Sequence, residues 1–408
     1  MNTMASKSYL VTALDRGNVG NKKASGFLRL ATLCALVLAA GFPTRTASAS
    51  PGYDFIDITD SSGIFSAFGN GVSINDNDQV AFFGYLRAGG AGIYDGSGGS
   101  LTTVATTYGV YSALSGGVSI NNSGVVAFDA NLKAGGSGIF TGSGGSVTTV
   151  ARNSGIFSGF TAAPRINNSG TVAFAANLVA GGNGIFTSSG GVVTTIANTS
   201  GPYSSFGNIF SLNSGGTVAV HAHLTAGGDA IIAGNGGPLT TIAGVSSQFN
   251  NFGDFTGINS AGTVIFAAGL WSGGGGVFTG NGGSPTTVAD SSSGISAGIS
   301  GLGINDSGEV AFLASLPSGA TAILTGADPV ADKIIETGDT LFGSTVTSLG
   351  YYGALNDKGD IAFTYSLSDG VNGVAIAAVP EPEALVFLPF AFLLLRRFPQ
   401  PRSGSQES

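Results

Sequence analysis

Cysteine is all but missing from this chain of 408 residues: the one example is Cys34. It falls in an apolar segment near the N-terminus, where it reads as a small hydrophobe. Beyond that segment, disulfides and thiolate metal sites are excluded. Histidine is nearly as rare, limited to His221 and His223, and charged residues make up only 9% of the chain. A nucleophile–base pair or a paired-carboxylate site therefore has little to draw on, and neither histidine lies near a serine motif. Positive charge is the scarcest. Across residues 50–379, 6 lysines and arginines stand against 19 aspartates and glutamates, a net charge of −13. An acidic surface repels phosphate backbones, which argues against a nucleic-acid partner. Long apolar runs are lacking too, since residues 30–42 and 384–395 both fall short of the roughly 20 residues that cross a bilayer as a helix.

Those two short runs mark the ends of the chain. Lys22, Lys23 and Arg29 precede the first, and Ala47-Ser48-Ala49 follows it in the small-x-small pattern of a signal-peptidase site. Residues 1–49 are thus expected to be a signal peptide, and the mature chain to be exported. The second run is preceded by Pro380-Glu381-Pro382 and followed by Arg396-Arg397. A basic flank of that kind holds a short apolar helix at a cytoplasmic membrane face. These five residues resemble a PEP-CTERM sorting signal, although Pro389 interrupts the helix and a polar tail reaches Ser408. The resemblance implies that residues 379–408 are a sorting and anchor signal. It also implies an exosortase-type processing protease and the export machinery as partners, with transient membrane association before cleavage.

Glycine is what the chain has in quantity, 69 residues, yet Val, Ile, Leu and Phe return among them at regular intervals that a disordered linker would not show. One phrase recurs: Ile120-Asn121-Asn122-Ser123-Gly124-Val125-Val126-Ala127-Phe128. Its counterparts start at Ile74, Ile166, Leu212, Ile258, Ile304 and Leu355, at five intervals of 46 residues and a last of 51. Each copy reads as four short strands. In the second, Val118-Ser119-Ile120 is the first strand and Asn-Asn-Ser-Gly a tight turn. Alternating Val126, Phe128, Ala130 and Leu132 form the second strand, and Gly clusters set off Gly138-Ile139-Phe140 and Val147-Thr148-Thr149-Val150. No window has a helical period. Four strands per unit of this length is the pattern of a propeller blade.

Residues 50–378 are accordingly predicted to be an all-β domain, a seven-bladed β-propeller of four-stranded antiparallel blades. A β-solenoid is the alternative. The last copy supports closure. It supplies strands around 354–356, 361–367 and 373–377 but no fourth, while Phe55-Ile56-Asp57-Ile58 falls in register with Val147-Thr148-Thr149-Val150. An N-terminal strand that completes the last blade would bury Phe55 or Ile56 and leave no open edge.

The phrase Asn-x-x-Gly-x-x-Ala-Phe resembles the motif of a tandem-repeat family of bacterial surface proteins. Asn121, Gly124, Ala127 and Phe128 match it in full, as do Asn167, Gly170, Ala173 and Phe174. Asp78 stands for Gly in the first copy, Val220 for Phe in the fourth and Ile265 for Ala in the fifth. The likeness implies an exported repeat protein with no assigned chemistry.

Other candidates have plainer readings. His221 and His223, two apart on a strand, share a face and could meet one metal ion, but no third ligand follows nearby, so they read as polar filler between blades. Asp76 and Asp78 form a carboxylate cluster in the first turn, with Asp306 and Asp357 in similar turns. Asx-turn chemistry accounts for them without calcium, which needs six or more oxygens. Glycine-rich stretches such as Gly142-Ser143-Gly144-Gly145 lack the Lys-Ser/Thr ending of a phosphate loop. Trp271, in a predicted loop, could stack on a sugar. No catalytic residue, metal or cofactor is assigned. The expectation is a non-catalytic structural or interaction protein of the cell surface or extracellular matrix. The alternative is a carbohydrate- or calcium-dependent lectin or adhesin, with extracellular polysaccharide as its partner, and a propeller hydrolase or lyase stands third.

Overall fold

The computed structural model describes residues 52–380 apart from Asn70, Ser247 and Ala297. The expected signal peptide with Cys34, and Glu381, Pro382, Arg396 and Arg397 of the expected sorting signal, lie outside the described residues. Within them the chain is all β, with one 3-10 turn at Ser291–Ser293.

Seven antiparallel sheets follow one another around a ring. Blade 4 is the plainest. Tyr203–Leu212 is its inner strand, and Val218–Leu224, Asp229–Gly234 and Thr240–Gly244 succeed it outward. In blades 1 to 3 the inner strand is broken in two. Tyr111–Leu114 and Ser119–Ile120 both pair with Val126–Leu132 in blade 2, so the predicted first strand there is only the second half of the real one. In blade 2 Ser-Gly-Gly intervenes between the halves, and glycines weaken a strand interior.

The solenoid alternative is excluded, because the ring closes on its own N-terminus. Asp54–Asp60 pairs antiparallel with Asn372–Ala378 as the fourth strand of blade 7, with Phe55 opposite Ala377 and Ile56 opposite Ile376. A bulge falls between Asp57 and Thr59, where Ile58 has no partner. Blade 2 skips Val150 at the same register, between Ala151 and Thr149. The N-terminal strand therefore has the same geometry as every other outer strand. That bulge corrects one expectation. It reverses the side-chain alternation, so Ile58 is buried (4% exposed) while Ile56 is 39% exposed. Phe55 is half-buried, edge-on to Phe363 with centroids 6.2 Å apart.

The extra length of the last interval also has a place. Val346 pairs with Leu367 at the same sequence offset as Phe249 with Leu270, so the added residues lie upstream. They form the hairpin of Thr340–Leu341 with Ser344–Gly350, whose turn holds Phe342 at φ 48°.

Motif positions Ala and Phe build the cores. Phe82, Phe128, Phe174, Phe266, Phe312 and Phe363 are each fully buried. In blade 2, Phe128 packs against Tyr111 and Phe140 at 5.7 Å each. Burying a side chain of this size contributes about 1.5–3 kcal/mol. The motif Gly takes the left-handed conformation the turn requires, as at Gly124 (φ 72°) and Gly170 (φ 80°). Asp78 occupies that position in blade 1 at φ 59°. Its carboxylate there meets Lys358 Nζ at 2.8 Å across the junction with blade 7.

Candidate functional site

The motif asparagines form a closed circuit. Asn75 Nδ2 donates to the Asn121 carbonyl (2.9 Å), Asn121 to Asn167 (3.1 Å), Asn167 to Asn213 (3.0 Å) and Asn213 to Asn259 (3.0 Å). Asn259 then donates to Asn305 (3.2 Å), Asn305 to Asn356 (3.2 Å), and Asn356 back to Asn75 (3.1 Å). Each side chain also holds its own turn: Asn121 Oδ1 accepts from the N–H groups of Ser123 and Val125. One amide thus shapes a hairpin and joins it to the next blade. All seven are buried.

The following residue forms a second, partial circuit at the rim. Asn122 Oδ1 accepts from Asp76 N, Asn168 Oδ1 from Asn122 N, Asp306 Oδ1 from Ser260 N, Asp357 Oδ1 from Asp306 N and Asp76 Oδ1 from Asp357 N. This revises the reading of the acidic turn residues. Asn75, not Asp76, supplies the Asx-turn oxygen, accepting from Asn77 N and Gln79 N, while Asp76 bridges blades 1, 2 and 7. Asp76, Asp306 and Asp357 end up side by side at one mouth of the ring, around a shallow recess of about 190 Å³.

Behind that mouth lies the central channel, about 520 Å³, walled by the inner strands. At one equivalent level the lining is small and neutral in six of the blades, with Ser73, Ser119, Ser211, Gly257, Gly303 and Ala354. Glycine is needed nearby: at Gly353 (φ 85°) a Cβ would sit 2.5 Å from the Leu302 carbonyl. Among the described lining residues one carries charge, Arg165. Its Nε donates to the Phe210 carbonyl at 3.1 Å, and among the described residues no carboxylate pairs with it. Channel space reaches part of the side chain, but protein surrounds it, and that burial lowers the guanidinium to about 10. It remains a cation at neutral pH. Sequence reasoning passed over Arg165; the signal was a lone positive charge in a column of serine and glycine.

The opposite face is different in character. Ile64, Val110 and Ile156 are 61%, 65% and 60% exposed at equivalent positions of blades 1 to 3. Their carbonyls accept from the N–H groups of Arg87, Lys133 and Val179, which open the neighbouring loops. Trp271 stands in the predicted kind of loop, 64% exposed, with Nε1 donating to the Ser246 carbonyl at 2.9 Å.

For the histidines, the expectation that no third ligand is at hand is overturned. Asp229 lies opposite His223 across a hairpin, with Oδ1 2.6 Å from His223 Nδ1. Asp254, from blade 5, lies 3.0 Å from His221 Nδ1. The sequence gap of a hairpin hid the first and a blade junction hid the second.

No curated protein matches the chain. Solved structures match it as propellers at low identity. An oligogalacturonate lyase from Vibrio parahaemolyticus aligns over 82% of this chain and 99% of its own, at 11% identity and a TM-score of 0.53. An acylaminoacyl peptidase from Pyrococcus horikoshii aligns over 76% of this chain but only 51% of its own, at 11% identity and a TM-score of 0.50. A fungal lectin from Aleuria aurantia aligns over 63% of this chain and 92% of its own, at 11% identity and a TM-score of 0.36. At such identities the likeness to the lyase and the peptidase speaks to the fold alone. A family model matches residues 107–327, from the start of blade 2 to the third strand of blade 6 and a little over half of the chain. The chain therefore belongs to that family, described as a family of unknown function, DUF7453.

Proposed function

We propose that this chain is an exported, non-catalytic interaction protein of the cell surface or extracellular matrix. It is delivered by residues 1–49 and processed near Pro380-Glu381-Pro382 by an exosortase-type protease. The observation that carries this reading is the use made of the repeated polar residues. Each motif asparagine is engaged in shaping its own turn and joining its blade to the next. The repeat thus encodes a rigid closed frame rather than reactive groups. The exposed apolar side chains at Ile64, Val110 and Ile156 give that frame a face suited to a partner. The mature protein from its native host is expected to lack Arg396-Arg397. Intact-mass measurement that finds the complete C-terminus on the exported form rules out the sorting signal.

A second reading, a carbohydrate-binding module, is favoured by Arg165. A guanidinium that has no carboxylate partner among the described residues of its channel suits an anionic group of an acidic sugar. On an oligosaccharide array the wild type would retain uronic-acid sugars, and Arg165→Gln would retain at least tenfold less. Equal retention by the two proteins removes this reading.

A further inference from the structure

Blade 4 departs from the repeat at positions that converge in space. Where His221 and His223 stand, blades 2, 3 and 5 carry Asp129 and Asn131, Ala175 and Asn177, Ala267 and Gly269. Where Asp229 stands they carry Ser137, Asn183 and Gly275, and Asp254 of blade 5 takes the place of Asn208 and Ser300. Both histidines lie on the strand Val218–Leu224, with ring centroids 4.6 Å apart. Asp229 faces them from the adjoining strand. Its Oδ1 is 2.6 Å from His223 Nδ1 and its Oδ2 is 3.8 Å from His221 Nε2. Gly207 leaves room for the arrangement, since a Cβ there would lie 3.2 Å from Asp254 Oδ1 and 3.4 Å from His221 Cβ.

His221 decides the chemistry. Its ring is 3% exposed, and among the described residues the buried Nε2 has no hydrogen-bond partner. In the neutral ring with Nδ1–H donated to Asp254, Nε2 carries a lone pair. That lone pair and the Asp229 carboxylate then face each other with nothing positive between them, a costly arrangement in a protein interior. The donor atoms of His221, His223 and Asp229 lie within 4.8 Å of one another.

We propose that His221, His223 and Asp229 form a three-ligand site for a divalent transition-metal ion, with Asp254 orienting His221. Two imidazoles and one carboxylate suit Zn²⁺ and its first-row neighbours rather than Ca²⁺ or Mg²⁺, which take oxygen ligands. Zinc ligands sit roughly 2.0–2.2 Å from the ion, so donors already within 4.8 Å of one another are near the spacing it requires. Asp254 supplies the carboxylate–histidine contact that fixes a metal-ligating ring. His223 is 42% exposed, so a fourth position opens to water or to an oxygen atom of a ligand.

The test uses the mature chain stripped with EDTA and titrated with Zn²⁺ at pH 7 by calorimetry. One equivalent should bind, and Co²⁺ in its place should give the visible bands of a low-symmetry site. Asp229→Asn and His223→Ala, both at partly exposed positions, should each weaken Zn²⁺ binding at least tenfold while circular dichroism stays unchanged. Asp254→Asn should weaken it by a smaller factor, and Ca²⁺ should give no binding heat. Failure to bind one equivalent of Zn²⁺, or wild-type affinity in both Asp229→Asn and His223→Ala, overturns the site.

Discussion

A chain lacking residues 53–59 is expected to unfold at a midpoint roughly 10 °C below the intact one and to associate in solution. The strand Asp54–Asp60 is the outer edge of blade 7, more than three hundred residues from its partner in sequence. Deletion removes Ile58 from the core and Phe55 from its edge-on contact with Phe363. It also removes the ladder to Asn372–Ala378 and the hydrogen bond that Tyr365 donates to Asp57 at 3.1 Å. Ile58 contributes about 1.5–3 kcal/mol, and a half-buried aromatic ring adds about half as much. With net ladder hydrogen bonds at about 1 kcal/mol each, the loss is on the order of 5 kcal/mol. For a domain of this size about 2 °C of midpoint follows each kcal/mol. The bare strand left behind is a template for pairing with a second chain. Thermal unfolding and sedimentation of the truncated protein provide the check. An unchanged midpoint in a monomer would mean that the strand does not close the ring.

The asparagine circuit gives the second large effect. Asn167 Nδ2 donates to the carbonyls of Asn213 and Ser214, and Oδ1 accepts from Thr171 N and Ser169 Oγ. Asn167→Ala removes all four of these hydrogen bonds, at a cost of about 3 kcal/mol, or roughly 6 °C. Asn167→Asp separates the two roles of the side chain. The carboxylate still accepts from Thr171 N, so the turn survives, but it faces two carbonyl oxygens instead of donating to them. At pH 7 Asn167→Asp should cost at least as much as Asn167→Ala. Burial against carbonyls raises the folded-state pKa of the new carboxyl above its unfolded value. The penalty is therefore present above that folded pKa and disappears as pH falls through it, because the protonated acid can donate again. Melting curves from pH 7 down to pH 4 follow this directly. A penalty independent of pH would show that the inter-blade donation contributes little.

Both effects trace to features with very different visibility in the sequence. The Asn-x-x-Gly-x-x-Ala-Phe phrase is local: its glycine needs positive φ, its asparagine caps its own turn, and its phenylalanine sits at an inward position of one strand. Repetition at 46 residues then multiplies a local rule into seven blades, and the missing fourth strand of the last copy pointed to the N-terminal strand. Even there the register bulge chose Ile58 over Ile56, because a bulge depends on the partner strand as well as on the residues themselves.

The candidate sites were far less legible. Asn121 could be read as a turn residue, but its Nδ2 reaches a carbonyl 46 positions away. Arg165 stood out only once the serine and glycine columns on either side of it became the wall of one channel. His221 and His223 were visible as a pair, whereas Asp229 comes from across a hairpin and Asp254 from the next blade. Periodicity and turn chemistry belong to the chain, so fold class, blade number and strand order could be read from residues in line. Which side chains share a space is set by ladder register within a blade and by packing between blades, so only the folded and packed sheets bring those separated positions within a hydrogen bond of one another.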